Sequence, residues 1–236
     1  MKKCLYAAHT FLWVLAIVSS GSASSETNLV WKEAKSLNGY TIYTAAQPDS
    51  RFIASKCVTV VDAGMDELGM VLRDFANFRT WLHDCTMSKL LKTIDDERDI
   101  FIFYLVQRVP LLPDRDMVLK SNVILNYPKG WCYVGVQSTD EYSFPSSGGL
   151  VRMRFKGGFL LEWIDGRHTR LTYTVIPDLQ GNMPAIIANP IIRDAPMKSL
   201  MKLKERVKLP QYIESAKRSK YRTMINESIR AGHLKP

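Results

Sequence analysis

The sequence is poor in the residue types on which most metal and nucleophilic chemistry depends. Its 236 residues include four histidines and four cysteines, and His83, His168 and His233 show no spacing typical of metal ligands. We find no nucleophile elbow, no glycine-rich phosphate loop and no pair of catalytic carboxylates within a motif. Past the N-terminus, no apolar run approaches roughly 18 residues, the length of a membrane-spanning helix. These absences argue against an enzyme and predict neither a cofactor nor a metal site.

Cysteine usage leaves the redox chemistry open. Cys4 lies in the N-terminal segment, so a processed chain would keep Cys57, Cys85 and Cys132, an odd number. One disulfide with a free thiol and three buried thiols both fit this count, and the sequence alone cannot choose a pair.

Acidic residues are scarce at the C-terminal end, and the excess positive charge therefore lies there. The chain has 32 basic and 23 acidic side chains, a net charge of +9. Residues 1–23 contribute +2, residues 24–192 contribute −1 (18 basic, 19 acidic) and residues 193–236 contribute +8 (12 basic, 4 acidic). Because the body is neutral, we expect a transient contact with an anionic membrane or an acidic partner, and no nucleic-acid binding. A merely solvated helix face is the alternative.

The N-terminus has the three parts of a secretory signal. Lys2 and Lys3 form a basic region, residues 11–18 an apolar core, and residues 21–23 a small-residue cleavage site. We expect cleavage after Ala23 and an exported protein, periplasmic or secreted. An uncleaved anchor is the alternative.

Periodicity and turn signals predict a single α+β domain over residues 28–209, followed by a basic helical tail at 210–236. We expect a short helix from residue 28, a turn at Asn38 and Gly39, and a helix that begins near Asp66 and continues to residue 82. Strands, mostly antiparallel, are expected at 40–44, 52–61, 87–94, 99–109, 117–125, 131–138, 150–163 and 171–176. Gly157 and Gly158 predict a bulge or a close backbone approach.

A long helix over residues 184–208 ends the domain. Pro190 and Pro196 predict a kink or a broken first half, because each removes a backbone donor. The helix carries an apolar stripe of Met197, Leu200, Leu203 and Val207. A curved antiparallel sheet closed by such a helix leaves an internal hydrophobic cavity, and the methionines at 183, 197 and 201 suit a flexible ligand.

Several weak motifs occur in an order that is specific as a set. They are Trp81 after the first long helix, Pro-Asp-Arg-Asp-Met-Val at 113–118, Val-Arg-Met at 151–153, and Leu-Thr-Tyr at 171–173 running into Asp-Leu-Gln-Gly-Asn-Met-Pro at 178–184. In this order, over residues 30–209, they resemble the START (StAR-related lipid-transfer) domain family of the helix-grip superfamily. We expect an exported, bacterial-type member.

The resemblance implies a helix-grip fold with a tunnel for one lipid or sterol, gated by the loop at 144–149 or by that at 165–168. Some relatives place an arginine inside the cavity on the strand after the Arg-Asp step, and the position that matches it here is Lys120. Arg115 and Asp116 are expected to pin the adjoining loop. The candidate ligand-binding residues are Trp81, Tyr104, Lys120, Arg152, Arg154, Met197, Leu200 and Met201.

We therefore expect a non-enzymatic protein that binds, and in addition transfers, a single lipid or sterol-like hydrophobic ligand. The alternative is an enzyme of the same superfamily, cyclase-like or hydrolase-like, acting on a hydrophobic substrate. Its groups would be His83, Asp84 and Tyr104, if the fold assembled them. A protein-interaction module that uses the basic tail is a third hypothesis.

Overall fold

A curved, ten-stranded sheet forms most of the molecule. The structure is a computed structural model that describes residues 29–146 and 148–236; the expected signal segment, residues 1–23, lies outside them. The strands are β1 Lys32–Leu37, β2 Tyr40–Ala46, β3 Ile53–Val61, β4 Cys85–Asp95, β5 Ile100–Gln107, β6 Arg115–Asn126, β7 Trp131–Ser138, β8 Val151–Arg152, β9 Arg154–Asp165 and β10 His168–Asp178.

The sheet is antiparallel along its whole main path, which confirms the α+β helix-grip prediction. Its order is β1-β2-β3-β10-β9-β7-β6-β5-β4. Among the described strands, only the short β8 pairs in parallel, with the start of β6. Hairpin connections account for this order, since consecutive strands are mostly neighbours. Glycine permits a close approach at the centre, because a Cβ on Gly158 would collide with the Val134 carbonyl and its φ is 153°.

In the part of the chain that the structure describes, four α-helices pack against this sheet and against one another. They are α1 Met65–Arg73, α2 Ala185–Arg206, α3 Pro210–Lys217 and α4 Lys220–Arg230, with 3₁₀ turns at Phe75–Thr80 and Tyr127–Lys129. Helix α1 is capped at its start, because the backbone amide of Gly64 donates to the Glu67 carboxylate at 3.0 Å. None of the helices in the described ranges is long and apolar enough to cross a membrane.

Helix α2 is continuous from Ala185 to Arg206, so the broken first half is wrong, whereas a kink at Pro190 or Pro196 stays a prediction. Packing explains the difference. The helix lies across β2, β3 and β10, and the Ile53 amide donates to the Asn189 side chain at 3.1 Å. Tertiary contacts of this kind offset the loss of a backbone donor at each proline.

The short helix expected from residue 28 is also wrong. Residues Lys32–Leu37 form β1, an edge strand that pairs with β2. Asn38 and Gly39 both adopt positive φ, 50° and 77°, as a tight hairpin requires. The hairpin therefore overrides the local helix preference of an exposed, lysine-rich segment.

The two faces of β5 separate two hydrophobic clusters. Side chains alternate along a strand, so Phe101, Phe103 and Leu105 join the main core between the sheet and the helices. Ile102 and Tyr104 point the other way into a smaller cluster, which the segment with Tyr142, Phe144 and Leu150 covers. This alternation decides which residues can reach the interior.

Candidate ligand-binding site

Three cavities lie in series between the concave face of the sheet and the helices. The first chamber and the middle chamber share Phe78, Phe103, Val136 and Phe159 as lining residues. The middle chamber and the third chamber share Leu82, Gln107, Phe155 and Tyr173. The interior is therefore a row of compartments that only side chains separate.

The chambers are small in this state. Their volumes are about 30 Å³ for the first, about 30 Å³ for the middle and about 70 Å³ for the third. Since a water molecule needs roughly 10–15 Å³ of such space, each chamber has room for a few waters. A lipid chain fits only if the shared side chains move and the chambers join.

Aromatic rings form the walls of the middle chamber. Trp81 lies edge-on to Phe78 and Phe159, with ring centroids 5.0 and 5.9 Å apart. Phe159 stacks on Tyr173 at 4.2 Å. The indole N–H of Trp81 is buried without a hydrogen-bond partner in the described part of the chain. This chamber is suited to apolar groups, with one spare donor.

Helix α4 closes one side of the first chamber. Tyr221 of α4 contributes to its wall, and its hydroxyl donates to Asp99 at 2.7 Å. Arg73 and Lys220 also pair with Asp99, at 2.7 and 3.0 Å, and Arg222 pairs with Asp66 at 2.6 Å. Ion pairs therefore hold α4 against α1 and the β4–β5 turn.

The third chamber is the polar end of the row. His83, Gln107 and Arg115 line it together with apolar side chains from β10 and α2. The His83 ring nitrogen lies 3.1 Å from the Asp84 carboxylate. Burial lowers the pKa of His83, and the Asp84 carboxylate opposes this shift only in part. The lowered pKa favours the neutral form of the His83 imidazole.

Four predicted site residues lie away from these chambers. Tyr104 and Lys120 alternate out of the interior on β5 and β6, and Lys120 pairs with Glu141 at 2.7 Å. The prediction that Lys120 matches a cavity position is therefore wrong, and Ser121, the next residue, lines the first chamber instead. Arg154 is exposed and pairs with Asp140 at 2.9 Å.

Arg152 completes a polar cluster on the outer face. It holds both carboxylate oxygens of Asp116, at 3.0 and 2.9 Å, while the Tyr104 hydroxyl donates to the same carboxylate at 3.1 Å. Burial alone would raise the pKa of Asp116, but bonds from Arg152, Tyr104 and Ser146 outweigh it and lower that pKa. Burial beside Asp116 raises the pKa of Tyr104 to about 12. These residues fasten the covering segment.

The predicted residues on α2 occupy three different environments. Leu200 is fully buried in the main core and Met197 packs against that core, yet neither lines a chamber. Met201 is 49% exposed, so its placement in the interior is wrong. The helix face that lines the third chamber is instead Ala188, Ile191, Ile192, Ala195 and Ser199. Of the eight predicted residues, only Trp81 lines a chamber.

Sequence reasoning missed the residues that give the interior its polarity and its closure. Arg115 is 3% exposed and lines the third chamber, although it was expected only to pin a loop. Gln107 could have been predicted from alternation along β5, because the side chains at 101, 103 and 105 point inward and position 107 continues that series. Tyr221 carries no local signal, because it reaches the first chamber only through the packing of α4.

Both predicted gating loops lie elsewhere. Phe144 packs against Tyr104 on the outer face in a tilted arrangement, with ring centroids 4.5 Å apart. The 165–168 turn is a hairpin in which His168 pairs with Asp165. Among the described residues, neither loop lines a chamber. The segments that border the third chamber contain Arg108 and Val109, and Leu179 and Met183.

The groups proposed for an enzyme are not assembled. His83 and Asp84 lie at the third chamber, whereas Tyr104 points to the opposite face of the sheet. Cys57, Cys85 and Cys132 are free and buried, and burial raises the pKa of each thiol to about 12. Thiols of this kind are poor nucleophiles. Within the described ranges, no cluster of His, Cys, Asp and Glu could hold a metal ion.

A curved antiparallel sheet that encloses an apolar interior beneath a C-terminal helix defines a helix-grip protein. The START domain family model matches residues 21–211, and the chain belongs to that family. START domains bind lipid or sterol ligands. Helix α4 lies beyond the matched range.

Known relatives agree with this assignment. An uncharacterized protein of Pseudomonas aeruginosa is 25% identical over 192 residues, covering 81% of this chain and 93% of its own. The structure of a STAR-related lipid transfer protein fragment from Xanthomonas axonopodis is similar at 27% identity with a TM-score of 0.68, over 76% of this chain and 99% of its own. Human STARD10 shares the fold at 19% identity, with a TM-score of 0.68 over 78% of this chain and 76% of its own.

Proposed function

We propose that this protein is a non-enzymatic carrier that binds one lipid or similar amphiphile and transfers it between membranes. The row of three chambers, apolar except at the third and separated only by side chains, carries the proposal. Phe78 and Phe159 lie between the first and middle chambers, so a change in their rotamers would join the two without breaking a backbone hydrogen bond of the sheet. Family membership supports ligand binding of this class.

Extraction of the purified protein with organic solvent, followed by mass spectrometry, tests for a bound lipid. Val136 lines both the first and the middle chamber. The larger side chain in Val136→Phe should therefore keep the two chambers from joining and lower the uptake of a fluorescent lipid. Val60→Phe is the matched control, because Val60 lies 41% exposed on β3. Uptake that is equal in both variants, or a wild type that neither carries nor takes up lipid, would refute the proposal.

We also propose that the end of the molecule near the third chamber contacts an anionic membrane. Leu111 is 100% exposed two residues from the chamber-lining Val109, and Ile186 is 86% exposed at the start of α2. Lys198 and Lys202 are exposed on the same helix and form no ion pair with a described carboxylate. Exposed apolar side chains and lysines at one end of a molecule suit a headgroup interface.

Vesicle binding tests this contact. Lys198→Glu with Lys202→Glu should weaken binding to vesicles that contain anionic lipid, and salt should weaken wild-type binding. Lys89→Glu with Lys92→Glu, the same charge change on the exposed strand β4, is the control. Binding that ignores both anionic lipid content and ionic strength would contradict the proposal.

Export is the remaining part of the proposal. It rests on the basic, apolar and small-residue pattern of residues 1–23. Intact-mass analysis of the exported fraction should give a chain that begins after Ala23. A full-length chain beginning at Met1 in that fraction would refute cleavage.

A further inference from the structure

The two charges of the Arg115–Asp116 step serve opposite faces of the sheet. Side chains alternate along β6, so Asp116 points outward to Arg152 while Arg115 points inward with Met117 and Leu119. Arg115 is 3% exposed and lines the third chamber. A positive charge therefore lies at one end of an otherwise apolar interior.

The guanidinium of Arg115 is incompletely bonded. Of the five N–H donors that an arginine carries, Nε donates to the Leu179 carbonyl at 3.4 Å and Nη1 donates to the Pro113 carbonyl. Unlike Arg73 and Arg152, Arg115 forms no ion pair with any carboxylate of the described chain. The Asp114 carboxylate, which accepts from the Val109 amide, attracts Arg115 without contacting it and offsets only in part the lowering of the Arg115 pKa by burial. Its other donors have no partner in the described residues. Burying a cation in this way is costly unless an anion accompanies it.

The groups around Arg115 leave room for such an anion. Asp84 is already engaged by His83, and the Ser199 hydroxyl donates to the Ala195 carbonyl at 2.8 Å. The Gln107 amide makes only one long contact, 3.4 Å to the His83 carbonyl. Arg108 adds a second positive charge to the lining. The lining of the third chamber thus contains two arginines and one aspartate, an excess of positive charge.

We propose that the third chamber is a headgroup subsite in which Arg115, assisted by the Gln107 amide, receives the carboxylate or phosphate of an anionic amphiphile. This inference rests on the proposed carrier function and names the class of its ligand. The alkyl chain extends into the middle chamber past Phe155 and Tyr173, which the two chambers share. A guanidinium binds such oxyanions through paired, charge-assisted hydrogen bonds. The apolar remainder of the row favours an amphiphile over a free anion.

Binding of matched amphiphiles to the full chain tests the subsite. A long-chain fatty acid and a lysophosphatidic acid should bind about tenfold or more tightly than the methyl ester of the same fatty acid, because only the first two are anionic. Arg115→Gln should remove this preference, so that the affinity for the fatty acid falls to about that for the ester. Arg154→Gln, the same substitution at an exposed arginine on the outer face, should retain the preference.

Arg115→Lys covers the case in which the glutamine variant does not fold, since it keeps the charge and should keep a reduced preference. Equal wild-type affinity for acid and ester would overturn the subsite while leaving the carrier function intact. Failure of every amphiphile to bind would instead refute the carrier function. If inorganic phosphate competed as well as lysophosphatidic acid does, the ligand of the third chamber would be a free anion and not a lipid, and the proposal would be refuted.

Discussion

Residue positions along a strand decide which charges reach the interior and which fasten the outer surface. Asp116 is fully buried on the outer face, where Arg152 and the Tyr104 hydroxyl bind it. Arg115, one residue earlier, faces the chambers. The arginines at 152 and 154 therefore stabilise the covering segment and the sheet surface, and do not contact a ligand in the interior.

Removing Arg152 should destabilise the protein more than removing the Tyr104 hydroxyl. Arg152→Gln leaves the buried Asp116 carboxylate without its cation, at a cost of about 2–4 kcal/mol, because Arg152 itself is partly solvated. Tyr104→Phe removes one hydrogen bond, at a cost of about 1 kcal/mol. Urea unfolding of the two variants measures both values. A smaller loss in Arg152→Gln than in Tyr104→Phe would contradict this account.

The same cluster sets a dependence on pH. Because the pKa of Asp116 is lowered in the folded state, its contribution is present above the ordinary carboxylate pKa of about 4 and is lost as pH falls through the folded value. Asp116→Asn should therefore reduce stability at neutral pH and flatten the decline between neutral and acidic pH. An acid-unfolding profile as steep in the variant as in wild type would count against this role.

At the scale of elements, α2 uses one face for packing and a neighbouring face for the third chamber. Leu200 and Leu203 are fully buried in the core, whereas Ala188 and Ala195 line the cavity with small side chains. An apolar stripe shows that a helix face is buried, but not whether a void lies beside it. Small residues on the adjacent face mark the void here.

Two enlargements on α2 should therefore behave differently. Leu200→Trp enlarges a side chain in filled core and should destabilise the protein by about 1–3 kcal/mol or more. Ala195→Leu extends into the third chamber and should lower lipid uptake with a smaller loss of stability. Thermal melting and fluorescent-lipid uptake measured on both variants separate the effects. Equal destabilisation by the two changes would show that the third chamber is filled.

For the molecule as a whole, helix α4 is part of the wall of the interior and not a free tail. Of the basic side chains after residue 192, Arg193, Lys208, Lys217, Lys220 and Arg222 pair with carboxylates. The charge excess therefore contributes partly to holding α4 in place. The boundary at residue 210 between domain and tail stays a prediction, and α4 already supplies Tyr221 to the first chamber.

Opening this wall should change access to the interior. Tyr221→Ala removes a ring that lines the first chamber and should cost about 2–4 kcal/mol, as large-to-small changes in a core do. It should also speed lipid uptake. Tyr212→Ala is the matched control, because Tyr212 is equally buried on α3, bonds Asp74 at 2.7 Å and lines no chamber among the described residues. Equal uptake rates in the two variants would exclude α4 as a cover.

The sequence by itself determined most of the strands and the long C-terminal helix, because alternation, helical spacing and turn residues act over a few neighbours. The family followed from a resemblance, which the order of the motifs at 81, 113–118, 151–153 and 171–184 carries. The apolar side of the first helix placed Trp81 at the interior. The tertiary structure alone decided that Lys32–Leu37 is a strand, since pairing across the Asn38–Gly39 turn outweighs local preference. It also decided that Lys120 faces outward, that α2 stays unbroken at its prolines, and that Tyr221 closes the first chamber. These outcomes depend on strand phase and on contacts between residues far apart in the chain, which local patterns do not encode.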